Sequence, residues 1–112
     1  MGDCGCVADA VAAVAAGVDC IGTTLAGYTG VRARTDGPDL ELLAQILRAV
    51  DVPVLAEGRV GTPEQARACF EAGAWAVVVG TAITHPTSLT RRFVDEAVPP
   101  ERPGRTARTD LG

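Results

Sequence analysis

The apolar and polar residues of this chain fall into alternating blocks that predict helices and short strands in turn. An alanine-rich block over residues 7–16 predicts a first helix, and Gly17 ends it, because glycine is common just after a helix C-terminus. Residues 40–50 predict a second helix, since their apolar positions repeat with the helical period and give one buried face. Those positions are Leu42, Leu43, Ile46, Leu47 and Val50.

A third helix is predicted by its own start and stop signals. Thr62 is suited to the N-cap, Pro63 to the first helical position, and Gln65 to completing a capping box. This helix ends at Gly73. A last helix is predicted over residues 86–96.

Three short apolar blocks between the helices predict strands over residues 19–23, 54–56 and 76–79. Because strands alternate with helices, we expect an α/β fold with parallel pairing. The last block is uniformly apolar, which is typical of a strand buried on both faces. Three strands do not close a barrel, which takes about 250 residues, so strand edges and an apolar face stay uncovered. The chain is then either a piece of a longer protein or a unit that assembles with copies of itself.

The composition of the chain excludes some classes of function but does not identify one. The 112 residues allow one domain with a modest core, and a net charge of −4 disfavours a nucleic-acid partner. No apolar run reaches the ~20 residues that span a bilayer. The cysteine spacings match no zinc pattern, so we expect buried, reduced thiols in a cytoplasmic protein without a metal or cofactor. All ten basic side chains are arginines, and the chain contains no lysine.

Glycines and polar residues follow each predicted strand, where α/β proteins bind their ligands. These strand ends are residues 22–24, 57–59 and 80–81. Spacing alone leaves open whether the glycines serve binding or only turns. Glu57, directly after an apolar strand, is the sharpest candidate, because a carboxylate there can bind sugar hydroxyls or transfer protons. Residues 25–38 hold three glycines, a tyrosine and two arginines, and predict a long functional loop.

Several of these segments together resemble the N-acetylmannosamine-6-phosphate 2-epimerase family. The segments are Gly-Thr-Thr-Leu-Ala-Gly-Tyr-Thr at 22–29, Ala-Glu-Gly-Arg at 56–59, Thr-Pro-Glu at 62–64 and Val-Val-Gly-Thr-Ala-Ile-Thr at 78–84. The resemblance implies the C-terminal part, about strands 5/6 to 8, of a TIM (β/α)8 barrel over residues 1–96. It also implies interconversion of N-acetylmannosamine 6-phosphate and N-acetylglucosamine 6-phosphate in amino-sugar catabolism. Residues 97–112 are expected to form a disordered tail rich in proline and arginine.

The resemblance also implies roles for individual residues. Residues 1–4 match the end of the family's fifth strand, and the implied catalytic acids are Asp3 and Glu57. The implied substrate- and phosphate-binding residues are Thr24, Tyr28, Gly58, Arg59, Gly80, Thr81 and His85. Thr24 and Tyr28 are expected in the loop over the sugar.

Three departures from the family pattern change the activity that we expect from this chain. Ala26 stands where the family commonly has serine. His85 stands where the family usually has arginine, and it is suited equally to a weaker substrate contact or to starting a helix. The family's catalytic lysine, on its third strand, has no counterpart in this chain. We therefore expect no activity from the chain alone. A complementing N-terminal half is one possible partner, and a non-catalytic phosphosugar-binding or self-assembling half-barrel is the alternative.

Overall fold

A computed structural model describes residues 1–99 as short parallel strands that alternate with helices. The elements are β1 (Gly2–Asp3), α1 (Val7–Ala15), β2 (Ile21–Gly22), α2 (Leu40–Ala49), β3 (Val54–Glu57), α3 (Pro63–Ala72), β4 (Ala76–Val78), α4 (Thr81–Thr84) and α5 (Pro86–Ala97). The parallel α/β prediction is confirmed. The short helix α4 was not predicted, and the tail expected from residue 97 lies, from residue 100 onward, outside the described residues.

The four strands form one sheet in the order β1-β2-β3-β4, so every strand pairs with its neighbours in the chain. In the register, Gly2 lies opposite Ile21, Ile21 opposite Val54, and Glu57 opposite Val78. All pairs are parallel, and the carboxyl ends of the strands therefore meet at one edge of the sheet. The strand at residues 2–3 agrees with the expected match to the end of a fifth barrel strand.

The core lies between the sheet and one face of the helices. Leu42, Leu43 and Ile46 of α2 are completely buried against Ile21 and Val54 of the strands. Burying each of these side chains stabilises the fold by about 1.5–3 kcal/mol. The apolar period of α2 is therefore explained by its packing on the sheet.

The start and end of α3 follow from the predicted residue types, with one correction. Thr62 Oγ1 accepts a hydrogen bond from the Gln65 N–H at 3.1 Å, and Gly73 ends the helix in the left-handed conformation with φ +112°. Gln65 Oε1 reaches one residue further back than a capping box requires and accepts from the Gly61 N–H at 2.7 Å. The side chain thereby joins the helix to the loop after β3.

The prediction that the last strand is buried on both faces is wrong for this chain. Val78 is 37% exposed, because β4 pairs only with β3 among the described residues. Phe93 on α5 is 73% exposed, and among the elements of residues 1–99 α5 packs mainly against α4. An apolar side of the sheet and of α5 is therefore open within residues 1–99.

The four cysteines are free thiols, as expected. Cys4 and Cys69 are buried, and burial raises the pKa of both thiols. Cys6 and Cys20 were expected to be buried and are only partly buried, and Cys20 lies just before the amino-terminal end of β2. Within residues 1–99, no group of three His, Cys, Asp or Glu side chains could hold a metal ion. Over the same range, none of the helices is both long and apolar enough to cross a bilayer.

Candidate active site

One cavity of about 660 Å³ lies at the carboxyl ends of β3 and β4. Seven of the nine residues singled out from the sequence line it: Thr24, Tyr28, Glu57, Gly58, Arg59, Gly80 and Thr81. Asp3 lies beside the cavity and contacts it through Thr24. His85 is not part of its lining.

Thr24 joins the two candidate catalytic acids. Its Oγ1 lies 2.7 Å from Glu57 Oε2 and 3.0 Å from Asp3 Oδ1. A threonine hydroxyl has one hydrogen to donate, so it serves one carboxylate at a time unless the other carries a proton. The three side chains therefore form one hydrogen-bonded group at the ends of β1, β2 and β3.

The neighbouring Thr23 fixes the backbone of Glu57. Thr23 is 5% exposed, and its Oγ1 donates to the Glu57 carbonyl and accepts from the Glu57 N–H, both at 2.9 Å. A β-branched residue at a strand end holds its hydroxyl in few rotamers. Glu57 is thus held by Thr23 through its backbone and by Thr24 through its carboxylate.

The backbone after Glu57 turns through two left-handed residues. Gly58 has φ +108° and Arg59 has φ +56°. A β-carbon at Gly58 would meet nothing within 4 Å, so glycine is required there for its backbone freedom and not for space. Arg59 adopts this conformation with a side chain, which costs on the order of 1 kcal/mol.

The guanidinium of Arg59 is incompletely paired within the chain. Its Nε donates to the Gly37 carbonyl and its Nη2 to Thr35 Oγ1, both at a long 3.4 Å. Its Nη1 is buried and has no hydrogen-bond partner among the described residues. Because buried donors in native proteins are nearly always paired, this nitrogen indicates an anionic or polar ligand.

Backbone N–H groups add further donors around the same cavity. Those of Arg59, Val60, Thr81 and Ala82 donate to no other group within residues 1–99, and all four residues line the cavity. Clustered free N–H groups on the last two strand-to-helix loops are the usual phosphate site of (β/α)8 barrels.

The loop over residues 25–38 contributes two lining residues that the sequence did not single out, Arg34 and Asp36. The guanidinium carbon of Arg34 lies 5.2 Å from the centre of the Tyr28 ring, and that of Arg59 lies 5.3 Å from it. The only signal in the sequence was the combination of arginines and glycines in a long loop.

An ion pair anchors this loop to α2. Arg32 Nε and Nη2 donate to Asp39 Oδ2 and Oδ1 at 2.9 and 3.2 Å, and Asp39 Oδ1 also caps α2 by accepting from the Leu42 N–H at 2.9 Å. Burial alone would raise the pKa of the Asp39 carboxyl, but the hydrogen bonds from Arg32 and Leu42 outweigh it and lower that pKa. The pair therefore depends on an ionised Asp39.

His85 starts a helix, which is the structural one of its two predicted roles. Its Nδ1 accepts from the Ser88 N–H at 3.2 Å and lies 2.8 Å from Ser88 Oγ, at the N-cap of α5. Because Pro86 begins α5, residue 85 must precede the helix and cap it. This placement directs the ring to α5 and away from the residues that line the cavity.

An arc of parallel strands alternating with helices, with its candidate site at the strand carboxyl ends, defines part of a (β/α)8 barrel. A family model described as N-acetylmannosamine-6-phosphate epimerase matches residues 1–98. The chain belongs to this N-acetylmannosamine-6-phosphate 2-epimerase family.

Individual relatives agree with this assignment. A protein of Cutibacterium acnes named as an N-acetylmannosamine-6-phosphate 2-epimerase is 58% identical over 97 residues, covering 85% of this chain and 42% of the relative. A protein of the same name from Caldanaerobacter subterraneus is 50% identical over 94 residues, covering 84% and 40%. The solved N-acetylmannosamine-6-phosphate 2-epimerase of Clostridium perfringens superposes with a TM-score of 0.78 at 40% identity, covering 83% of this chain and 41% of that one. The chain thus spans about two fifths of the length of the relatives it matches.

Proposed function

We propose that this chain supplies the carboxyl-terminal part of an active site that interconverts N-acetylmannosamine 6-phosphate and N-acetylglucosamine 6-phosphate. The observation that carries the proposal is one cavity lined both by hydrogen-bond donors suited to an anion and by the Glu57 carboxylate. A sugar phosphate matches this lining, because it carries both an anion for the donors and hydroxyl groups for the carboxylate.

The donors of the last two loops bind the phosphate in this proposal. The free N–H groups of Arg59, Val60, Thr81 and Ala82 provide neutral donors, and the unpaired Nη1 of Arg59 provides a charged one. Together they replace water around a dianion that would otherwise be costly to bury.

The carboxylates act at the sugar end. Epimerisation at C2 removes a proton beside the C1 carbonyl of the opened sugar and returns one to the opposite face. Glu57 is within the cavity and is held by Thr24, so it is suited to ring opening, to orienting the substrate or to proton transfer. The Asp3 carboxylate also lies within hydrogen-bond distance of the Thr24 hydroxyl.

The chain cannot supply the amine that the family resemblance implies for proton transfer. It has no lysine, and arginine stays protonated and does not replace one. We propose that the lysine comes from barrel strands outside this sequence, which would form the other three fifths of the fold. The chain alone is then without turnover.

The test is an epimerase assay that follows both sugar phosphates by NMR, with and without an added N-terminal half. The added half is the part of the Cutibacterium acnes relative that this chain does not match. We expect no conversion by the chain alone and measurable conversion by the mixture. Conversion by the chain alone would exclude a lysine-based mechanism.

The role of Glu57 is tested in the same mixture. Removing the charge with Glu57→Gln should lower kcat at least about 100-fold, since a general acid or base contributes that much. Glu71→Gln on the exposed side of α3 is the matched control and should leave the rate unchanged. Equal rates for the two variants would remove Glu57 from the mechanism.

A second candidate function rests on the same hydrogen-bond donors and on the absence of lysine from this sequence. In it, the chain binds the sugar phosphate without converting it, either as one unit or as a self-assembled half-barrel. Tight binding that persists in a mixture without turnover would favour this alternative.

A further inference from the structure

The loop over residues 25–38 folds back on itself at a glycine that no other residue can replace. Gly27 has φ +79°, and a β-carbon there would lie 2.9 Å from the Cα of Arg34. Both the conformation and the contact exclude a side chain, because real β-carbons essentially never approach backbone so closely. The fold-back brings Arg34 beside the residue after Gly27, which is Tyr28.

Two arginines thereby share one aromatic ring. The guanidinium carbons of Arg34 and Arg59 lie over the Tyr28 ring, 5.2 and 5.3 Å from its centre. Each contact is worth about 0.5–1 kcal/mol at an exposed site, and the ring restricts both guanidinium groups. All three residues line the cavity.

Neither arginine forms an ion pair within the described residues. The ion pairs there involve only Arg32 and Arg92, and the acid nearest in sequence to Arg34, Asp36, forms none. Two positive charges held at one ring repel each other unless an anion lies between them. The unpaired Nη1 of Arg59 is a donor left free for such an anion.

The loop that carries this arrangement is anchored rather than loose. Arg32, two positions before Arg34, makes a double hydrogen bond to the buried Asp39 at the start of α2. Gly27 fixes one side of the fold-back and Arg32 the other. The position of Arg34 is therefore built into the loop before a ligand arrives.

We propose that Tyr28 holds Arg34 and Arg59 as a two-arginine clamp for the phosphate of the substrate, which makes Arg34 a binding residue of this site. The inference rests on the proposed function for the identity of the anion. Arg34 supplies a second full positive charge, which His85 at the N-cap of α5 does not. A dianion is matched by two guanidinium groups better than by one.

Calorimetric titration of the 112-residue chain with N-acetylglucosamine 6-phosphate tests the clamp, with N-acetylglucosamine as the uncharged comparison. Arg34→Gln should weaken binding of the phosphate about tenfold, as expected for a charge-assisted contact. Arg67→Gln, which removes the same charge from an exposed position on α3, is the control and should bind as the unmodified chain does.

The ring is tested by a pair of variants. Tyr28→Phe keeps the aromatic face and should retain the affinity, whereas Tyr28→Leu keeps bulk without the face and should weaken binding severalfold. Equal affinity of Arg34→Gln and Arg67→Gln, or phosphate binding that is absent in the unmodified chain, would overturn the clamp. The proposed function fails separately, if the mixture with the N-terminal half binds the phosphate but does not convert it.

Discussion

At the scale of single residues, the site depends on a hydroxyl that serves two acids. Thr24 Oγ1 contacts both Glu57 and Asp3, and the nearby Thr23 binds only the backbone of Glu57. Both threonines directly follow β2, and their hydroxyls bind different parts of the same residue, Glu57. We therefore propose that Thr24 positions the two carboxylates.

Thr24→Val retains the shape of the side chain and removes the hydroxyl, so Glu57 and Asp3 lose their common partner. In the mixture with the N-terminal half, we expect kcat to fall about tenfold with little change in KM. Thr24→Ser restores the hydroxyl and should restore most of the rate. A loss that appears in KM alone would instead make Thr24 a substrate contact.

At the scale of elements, the junction between the long loop and α2 couples binding to folding. Asp39 caps α2 and pairs with Arg32, so the same carboxylate starts a helix and anchors the loop that carries Arg34. The side chain of Asp39 is only 4% exposed and that of Arg32 is 23% exposed. Solvent therefore screens this pair less than an ordinary surface pair.

The pair should make stability depend on pH in the acidic range. Because the pKa of Asp39 is lowered by folding, its contribution is present above the unfolded value of about 4 and is lost as pH falls through the folded value. At pH 7, Arg32→Gln should lower the free energy of unfolding by about 1–2 kcal/mol. The difference from the unmodified chain should shrink as pH falls below about 4.

Urea unfolding of both proteins at pH 7 and pH 3 measures this difference. Arg48→Gln, an exposed arginine in the last turn of α2, is the control for loss of one positive charge. An Arg32→Gln deficit of equal size at both pH values would show that the ion pair is not its source.

Helices and strands could be predicted from the sequence where short-range rules determine them. The candidate site could be predicted only in part. The cap at Thr62, the stop at Gly73 and the buried face of α2 depend on short-range chemistry and are confirmed. Parallel pairing then places Glu57 and Gly80 at one cavity. Arg34 could not be found in this way, because its position depends on how a long loop folds back at Gly27.

At the scale of the whole molecule, the sheet is open where a barrel would continue. Among residues 1–99, β1 and β4 each pair on one side only. The apolar face of α5 is uncovered, with Phe93 73% and Val94 50% exposed. Open strand edges and exposed apolar side chains favour association.

Light scattering after size exclusion should therefore distinguish the chain alone from its mixture with the N-terminal half. We expect the chain alone to self-associate and the mixture to form a one-to-one complex. Phe93→Asp should weaken that complex about tenfold, since a buried aromatic contact is often worth more than 1 kcal/mol. Arg91→Gln on the same helix is the control. A chain that stays monomeric and does not bind the added N-terminal half would contradict this prediction.

The left-handed backbone at Arg59 has a consequence for how this position evolves. Glycine there would relieve the conformational cost that the arginine carries at φ +56°. Selection for a more stable fold therefore favours glycine at position 59, whereas selection for ligand affinity favours arginine there. In lineages that still use the ligand, arginine should persist at position 59 against that pressure. In lineages that have lost the ligand, this position should be among the first to drift.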